Sequence, residues 1–230
     1  MESSADQIKQ NNIALMGSDL GTIYSELWQE VGRMFSNWQE YVSLFGTNPE
    51  RIELLNNAAG HFFRTVQDGL WERTLLHLSR ITDPAQQGKK KNLSIHSLVE
   101  AITDIALKSK VTASIARATE KCAFARDWRN RFIAHADFDL ALDQSAQPLA
   151  PASRLQVREA LEAIEEVLNT ISTALQDATT RFSEMALLNS GEDLIYLLEF
   201  ATRKKEEREK RFESGQYTEE DLADLRPRSI

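Results

Sequence analysis

Ile23, Leu27, Val31, Met34, Trp38, Tyr41/Val42 and Phe45 follow one another at three- and four-residue steps. A strand would alternate apolar and polar positions. Steps of three and four gather apolar side chains on one face only if the backbone turns every 3.6 residues. The same rhythm returns in Ile52, Leu55, Phe62/Phe63, Val66, Leu70, Leu75, Leu78 and Ile81, and again in Leu155, Val157, Leu161, Ile164, Val167/Leu168, Ile171 and Leu175. Punctuation is sparse, with 9 glycines and 5 prolines in 230 residues, which leaves long stretches with nothing to interrupt a helix. The pattern therefore predicts an all-α, up-and-down helical bundle with a C-terminal helical extension.

The breaks set the expected boundaries. Gly17-Ser18-Asp19 starts the first amphipathic helix after a polar, loosely ordered segment over 1–16. Gly46-Thr47-Asn48-Pro49 ends it and opens a second, from about Glu50 to Thr82, with Pro49 suited to a first turn. Asp83-Pro84 closes that helix. A loop, Ala85–Asn92, carries Lys89-Lys90-Lys91, read as solvated lysines with phosphate contact as the sharper alternative. Helices over about Ser94–Leu107, Thr112–Ala134 and Ser153–Leu188 follow, with Asp137–Ala150 irregular. Ser190-Gly191-Glu192-Asp193 separates a last helix and a charged tail, so the expected division is 1–190 for the bundle and 191–230 for the extension. Tyr217–Ile230 reads as a disordered tail or a docking arm.

A net charge of −8 is not the footprint of a nucleic-acid binder. The distribution is uneven, however. Between Lys108 and His135 seven basic residues face only Glu120 and Asp127, a local +5 that leaves −13 on the rest. A basic face on an acidic chain can still hold a phosphate backbone. Cys122 is the single cysteine, so no internal disulfide forms and no thiol metal site is expected. Cys122 reads as a small buried hydrophobe; Lys121 and Arg126 beside it could lower the thiol pKa, but no cysteine-based triad accompanies it. His61, His77 and His96 lack ligand spacing, and neither a metal nor a cofactor is expected. The polar start and the lack of an 18-residue apolar run give an expectation of a cytoplasmic protein with no membrane contact.

One segment carries chemistry. Ile115, Ala118, Cys122, Ala125, Arg129, Phe132 and Ala136 form a single seam along the fourth helix. An arginine on a buried seam requires an anionic partner. His135 lies six residues beyond Arg129, about 240° round a regular helix. Either the helix ends before His135, or two protomers share the site. Trp128 and Phe132 read as packing residues.

Arg129-Asn130, four residues, then His135 resembles the HEPN motif. The phrase Arg126-Asp127-Trp128-Arg129-Asn130-Arg131-Phe132-Ile133-Ala134-His135-Ala136-Asp137, with Leu44-Phe45-Gly46 and Leu78–Pro84 before it, is most similar to the abortive-infection AbiU-type HEPN proteins, over about residues 20–190. The resemblance implies a homodimer with facing motifs that cleaves RNA without a metal, as a toxin or phage-defence effector. An antitoxin or other regulatory protein is the implied partner. It assigns catalysis to Arg129, Asn130 and His135, with Arg126, Arg131 and Lys121 as further phosphate contacts and Asp137 as a group that could orient His135. Some HEPN toxins carry a modifiable tyrosine two residues after the histidine, and here that position is Asp137. A non-catalytic HEPN-fold binding module, or a toxin held silent by a partner, is the rival expectation.

Overall fold

The computed structural model describes residues 5–142 and 147–223. In order, the helices are α1 (Ala5–Met16), α2 (Ser18–Phe45), α3 (Pro49–Ile81), α4 (Leu98–Ala101), α5 (Ile105–Lys121), α6 (Ala123–Trp128), α7 (Phe138–Leu142), α8 (Arg154–Gln176), α9 (Gly191–Glu213) and α10 (Glu219–Ala223). A π turn, Arg129–Ile133, extends α6, and 3-10 turns occupy Ile95–Ser97 and Phe182–Glu184. Among the described residues, the β structure is a two-stranded hairpin, β1 (Gln86–Gln87) and β2 (Lys90–Lys91). The fold is an all-α helical bundle. No helix among the described residues is long and apolar enough to cross a membrane.

The chain forms two compact units. One comprises residues up to Gln39 together with Asp68–Ala186. Its most extensive helix pairing is α5 on α8. Leu107, Val111, Ile115 and Ala118 of α5, and Val157, Ala160, Leu161, Ile164, Val167, Leu168 and Ile171 of α8, are all buried. Alanines within that set let the two helices approach closely. Leu27, Val31 and Met34 of α2 and Leu75 and Leu78 of α3 are buried in the same unit. Phe182 lies in this core with its ring 5.3 Å from Trp28 and 5.5 Å from Phe35, and its N–H donates to Glu165 at 2.8 Å.

The other unit takes Glu40–Gln67 and the chain from Leu187 onward. Tyr41, Leu44, Leu55, Phe63 and Ile195 are buried there. The start of α9 is fixed by Glu40, which accepts from the Gly191 N–H at 2.6 Å, and by Arg51, which donates to both Glu192 oxygens at 2.6 and 2.8 Å.

Several boundaries differ from the expected ones. Residues 5–16 are helical, whereas a loosely ordered segment was expected. The stretch read as one helix over Ser94–Leu107 is a 3-10 turn and α4, broken at Ile102–Asp104, and Asp104 caps α5 by accepting from the Leu107 N–H at 2.6 Å. The fourth helix is interrupted at Cys122, where ψ relaxes to 0°. α8 stops at Gln176, far short of Leu188, because Asp177 adopts a left-handed conformation (φ 50°, ψ 40°) that Asp tolerates better than most residues. The chain then turns so that Thr180 accepts from the Trp28 indole. α7 occupies part of the segment read as irregular. Positions 143–146 of that segment and 224–230 of the expected tail lie outside the described residues. Within 217–223, α10 is held by Asp221, which accepts from Arg211 at 2.5 and 3.0 Å.

Candidate active site

The motif begins where α5 gives out. Past Cys122, α6 carries Arg126 toward the end of α3, and the backbone then widens into a π turn in which the Ala134 N–H bonds the Arg129 carbonyl at 2.8 Å. Single π turns recur at functional sites because they re-aim the side chains that follow. Helical structure ends at Ile133, so the chain leaves the helix before His135, the first of the two options the spacing left open. His135 is exposed. Among the described residues it makes no hydrogen bond or ion pair.

Asp83 supplies the anion that the buried-seam arginine required. Its carboxylate is 17% exposed and receives two guanidiniums. Arg129 Nη1 donates to Oδ1 at 3.1 Å and Oδ2 at 2.9 Å, and Arg126 Nη1 donates to Oδ1. Arg126 Nη2 also donates to the Thr82 carbonyl at 2.9 Å, the Thr82 hydroxyl at 3.1 Å and the Ser79 carbonyl at 3.3 Å. Arg126 thus commits both terminal nitrogens to Asp83 and the end of α3 and acts as a buttress. Arg129 is less committed. Its Nε donates to Asn130 Oδ1 at 3.1 Å, and Nη2 has no partner among the described residues. The structure therefore brings Arg126, Arg129 and Asn130 together around Asp83.

The other expected site residues go elsewhere. Arg131 holds the returning chain, with Nη2 donating to the Gln147 carbonyl at 2.6 Å and Nη1 to the Pro148 carbonyl at 3.3 Å. Asp127 and Trp128 do the same at Ala150, through its N–H and its carbonyl, each at 2.8 Å. Asp137 accepts from the Leu140 N–H at 2.9 Å and from Arg131 at 3.4 Å. The Leu140 N–H chiefly holds its carboxyl below the usual value. Asp137 thus caps α7 and has no hydrogen bond to His135 among the described residues. Lys121 pairs with Glu159 of α8 at 2.8 Å.

Of two neighbouring residues, Cys122 keeps its reading as a buried hydrophobe and Phe132 does not. Cys122 is 1% exposed, and burial pushes its thiol up to about 12 against a smaller opposing effect of Arg126. It is a protonated core residue, not an activated thiol. Phe132 does not continue the buried seam. It is 51% exposed and stands edge-on to Trp128, with ring centroids 5.7 Å apart. His96 lies beside the cluster, its Nε2 3.2 Å from the Thr119 hydroxyl. Burial, and then Arg126, lower its pKa.

Sequence reasoning took Asp83 only as a helix stop. The signal was present nonetheless, since a seam arginine needs a carboxylate and Asp83 sits in the Leu78–Pro84 phrase already singled out. The HEPN-type family model described as AbiU2 matches residues 17–194, which spans Asp83, Arg126, Arg129 and His135. No curated protein and no solved structure matches the chain.

Proposed function

Because this chain belongs to the HEPN-type AbiU2 family, an abortive-infection-related group, we propose that it is a metal-independent endoribonuclease acting as a toxin or phage-defence effector. The observation that carries this reading is an exposed His135 that has no partner among the described residues, at the exit of a π turn whose first residue, Arg129, keeps Nη2 uncommitted among the same residues. In the reaction, a ribose 2′-hydroxyl attacks the adjacent phosphorus. The O2′–P bond forms and the P–O5′ bond breaks. The 2′ proton passes to a base, the 5′ oxygen takes a proton from an acid, and a 2′,3′-cyclic phosphate remains. His135 serves one of the proton transfers, and in a homodimer with facing motifs the partner subunit's His135 serves the other. Arg129 stabilises the charge that builds on the phosphorane oxygens. In the pairing with Asp83 and Asn130 it offers Nη2 alone, so a two-point hold on phosphate requires Asn130 to release Nε. That exchange involves one exposed neutral acceptor and costs little.

A specific observation also favours the second reading, a non-catalytic module or a toxin held silent by a partner. Both oxygens of Asp83 already engage Arg129, so the arginine's charge is balanced without RNA. Cleavage of total RNA and tRNA by purified protein in excess EDTA separates the readings. Wild type is expected to leave cyclic phosphate ends, with the rate falling about 10²–10⁴-fold in His135→Ala and about 10²–10³-fold in Arg129→Ala. Equal cleavage by all three proteins refutes the assignment. Poor growth on expression that is relieved by His135→Ala supports the toxin role.

A further inference from the structure

The hairpin between α3 and the 3-10 turn at Ile95 has no part in the mechanism above. It is nonetheless built with care. Gly88 takes φ +62° at the first central position of the two-residue turn, where a hairpin turn of the II′ kind favours glycine. The base is closed by the Asn92 N–H on the Ala85 carbonyl at 2.8 Å and the Asn92 side-chain amide on the Pro84 carbonyl at 2.9 Å. The hairpin therefore springs from the residue after Asp83 and is bonded back to it. Lys89, Lys90 and Lys91 are all exposed, and among the described residues none has a carboxylate partner. Lys9, Lys121, Lys204 and Lys205 each pair with a carboxylate, whereas these three ammonium groups stand side by side on one closed turn.

A groove of about 280 Å³ runs from this hairpin to Asp83, the carboxylate that Arg129 holds, and is lined by Glu30, Arg80, Asp83 and Lys91 among others. Its two carboxylates are already occupied. Burial works to raise the Glu30 pKa, but hydrogen bonds from Arg33 and Arg80 outweigh it and keep it ionised. Asp83 is held by Arg126 and Arg129. The groove's own lining balances, Arg80 and Lys91 against Glu30 and Asp83; Arg33, Arg126 and Arg129, which pair with those two carboxylates from outside it, bring the neighbourhood to a surplus of three positive charges. A net positive surplus at a cleft concentrates an opposite polyion.

We propose that the lysine hairpin is a second RNA-backbone site, and that single-stranded RNA runs from the Arg129–His135 site along this groove to Lys89–Lys91. This rests on the ribonuclease reading and specifies its substrate as a strand that extends several nucleotides beyond the cleaved bond. The hairpin positions RNA and does no chemistry, so it governs KM and leaves kcat alone.

The test uses full-length protein carrying His135→Ala, so that bound RNA stays intact, and the anisotropy of a labelled single-stranded RNA across a salt series. Lys89→Gln/Lys90→Gln/Lys91→Gln is compared with Lys204→Gln/Lys205→Gln/Lys210→Gln, the same charge change on α9. Removing three phosphate contacts lowers the slope of log affinity against log salt by about two, at roughly 0.7 per contact on single strands. That drop in the hairpin variant alone supports the proposal. In the cleaving protein the same variant raises KM by about tenfold at unchanged kcat. RNA bound with an unchanged slope overturns the hairpin site and leaves the ribonuclease reading standing. An equal drop in both triple variants also overturns it, since charge alone would then explain the effect. No RNA bound by the His135→Ala protein overturns both.

Discussion

A guanidinium has five N–H donors and no acceptor, and Arg126 and Arg129 divide that capacity differently. Arg126 gives Nη1 and Nη2, the two nitrogens that face the end of α3, to Asp83, Thr82 and Ser79. Arg129 gives only Nη1 and Nε. Asp83→Asn is therefore expected to weaken both and to cost about 2 kcal/mol of stability in urea unfolding, below the range for a fully buried pair because these side chains are partly solvated. Arg129→Ala is expected to cost less, about 1 kcal/mol, while removing more activity. The histidines of the same unit make stability depend on pH. Burial holds His77 and His96 below the ordinary 6.5. The unfolded chain then takes up protons first as the pH falls. The contribution is fully present above 6.5 and is lost as the pH falls from there toward the folded values. The melting temperature is expected to decline between about pH 7 and pH 5, with a shallower decline in His96→Gln.

At the scale of elements, two glycines mark where helices meet too closely for a side chain. A Cβ on Gly21 of α2 would lie 2.6 Å from the Asn12 carbonyl oxygen and the Ile13 Cα of α1. Both are backbone atoms that cannot step aside, so Gly21→Ala is expected to cost about 2–3 kcal/mol and to expose α1 to proteolysis. A Cβ on Gly191 meets the side chains of Ser43 and Glu40 at 2.6 and 2.9 Å. Those can rotate, so Gly191→Ala costs about 1 kcal/mol. Equal losses in the two variants would contradict this distinction. The long elements were legible because their apolar period is long. α3 was expected from about Glu50 to Thr82 and spans Pro49–Ile81, but its backbone leaves helical geometry at Ala59 (φ −164°, ψ 66°), a kink that the apolar period does not mark. The break at Cys122 and the stop at Asp177 left no glycine or proline to read, since tertiary packing decides them. The Arg129, Asn130 and His135 positions came from the resemblance to the HEPN motif. The seam position of Arg129 signalled the need for a carboxylate but not that Asp83 supplies it, because the ion pair joins residues more than forty apart in sequence.

The whole molecule carries −8, yet its candidate site is basic, and the stretch around His135 is apolar as well. Phe132, Phe138 and Leu142 are 51%, 73% and 70% exposed. Large apolar side chains concentrated in one short stretch are a common feature of association surfaces. In the proposed homodimer these residues are covered. Phe132→Ser/Phe138→Ser/Leu142→Ser is expected to sediment as a monomer and to lose cleavage, whereas wild type sediments as a dimer. A monomeric wild type with full activity would remove the shared-site mechanism. The chain that follows His135 has a further consequence. It returns to the motif at Gln147, Pro148 and Ala150, where Arg131, Asp127 and Trp128 receive it. The stretch between is a closed span whose ends are tied independently of its length. Lengthening such a span costs only about 0.6 kcal/mol per doubling. A change in chain length between Leu142 and Gln147 is therefore expected to leave Arg129 and Asn130 where they are, because Arg131, Asp127 and Trp128 hold the returning chain directly.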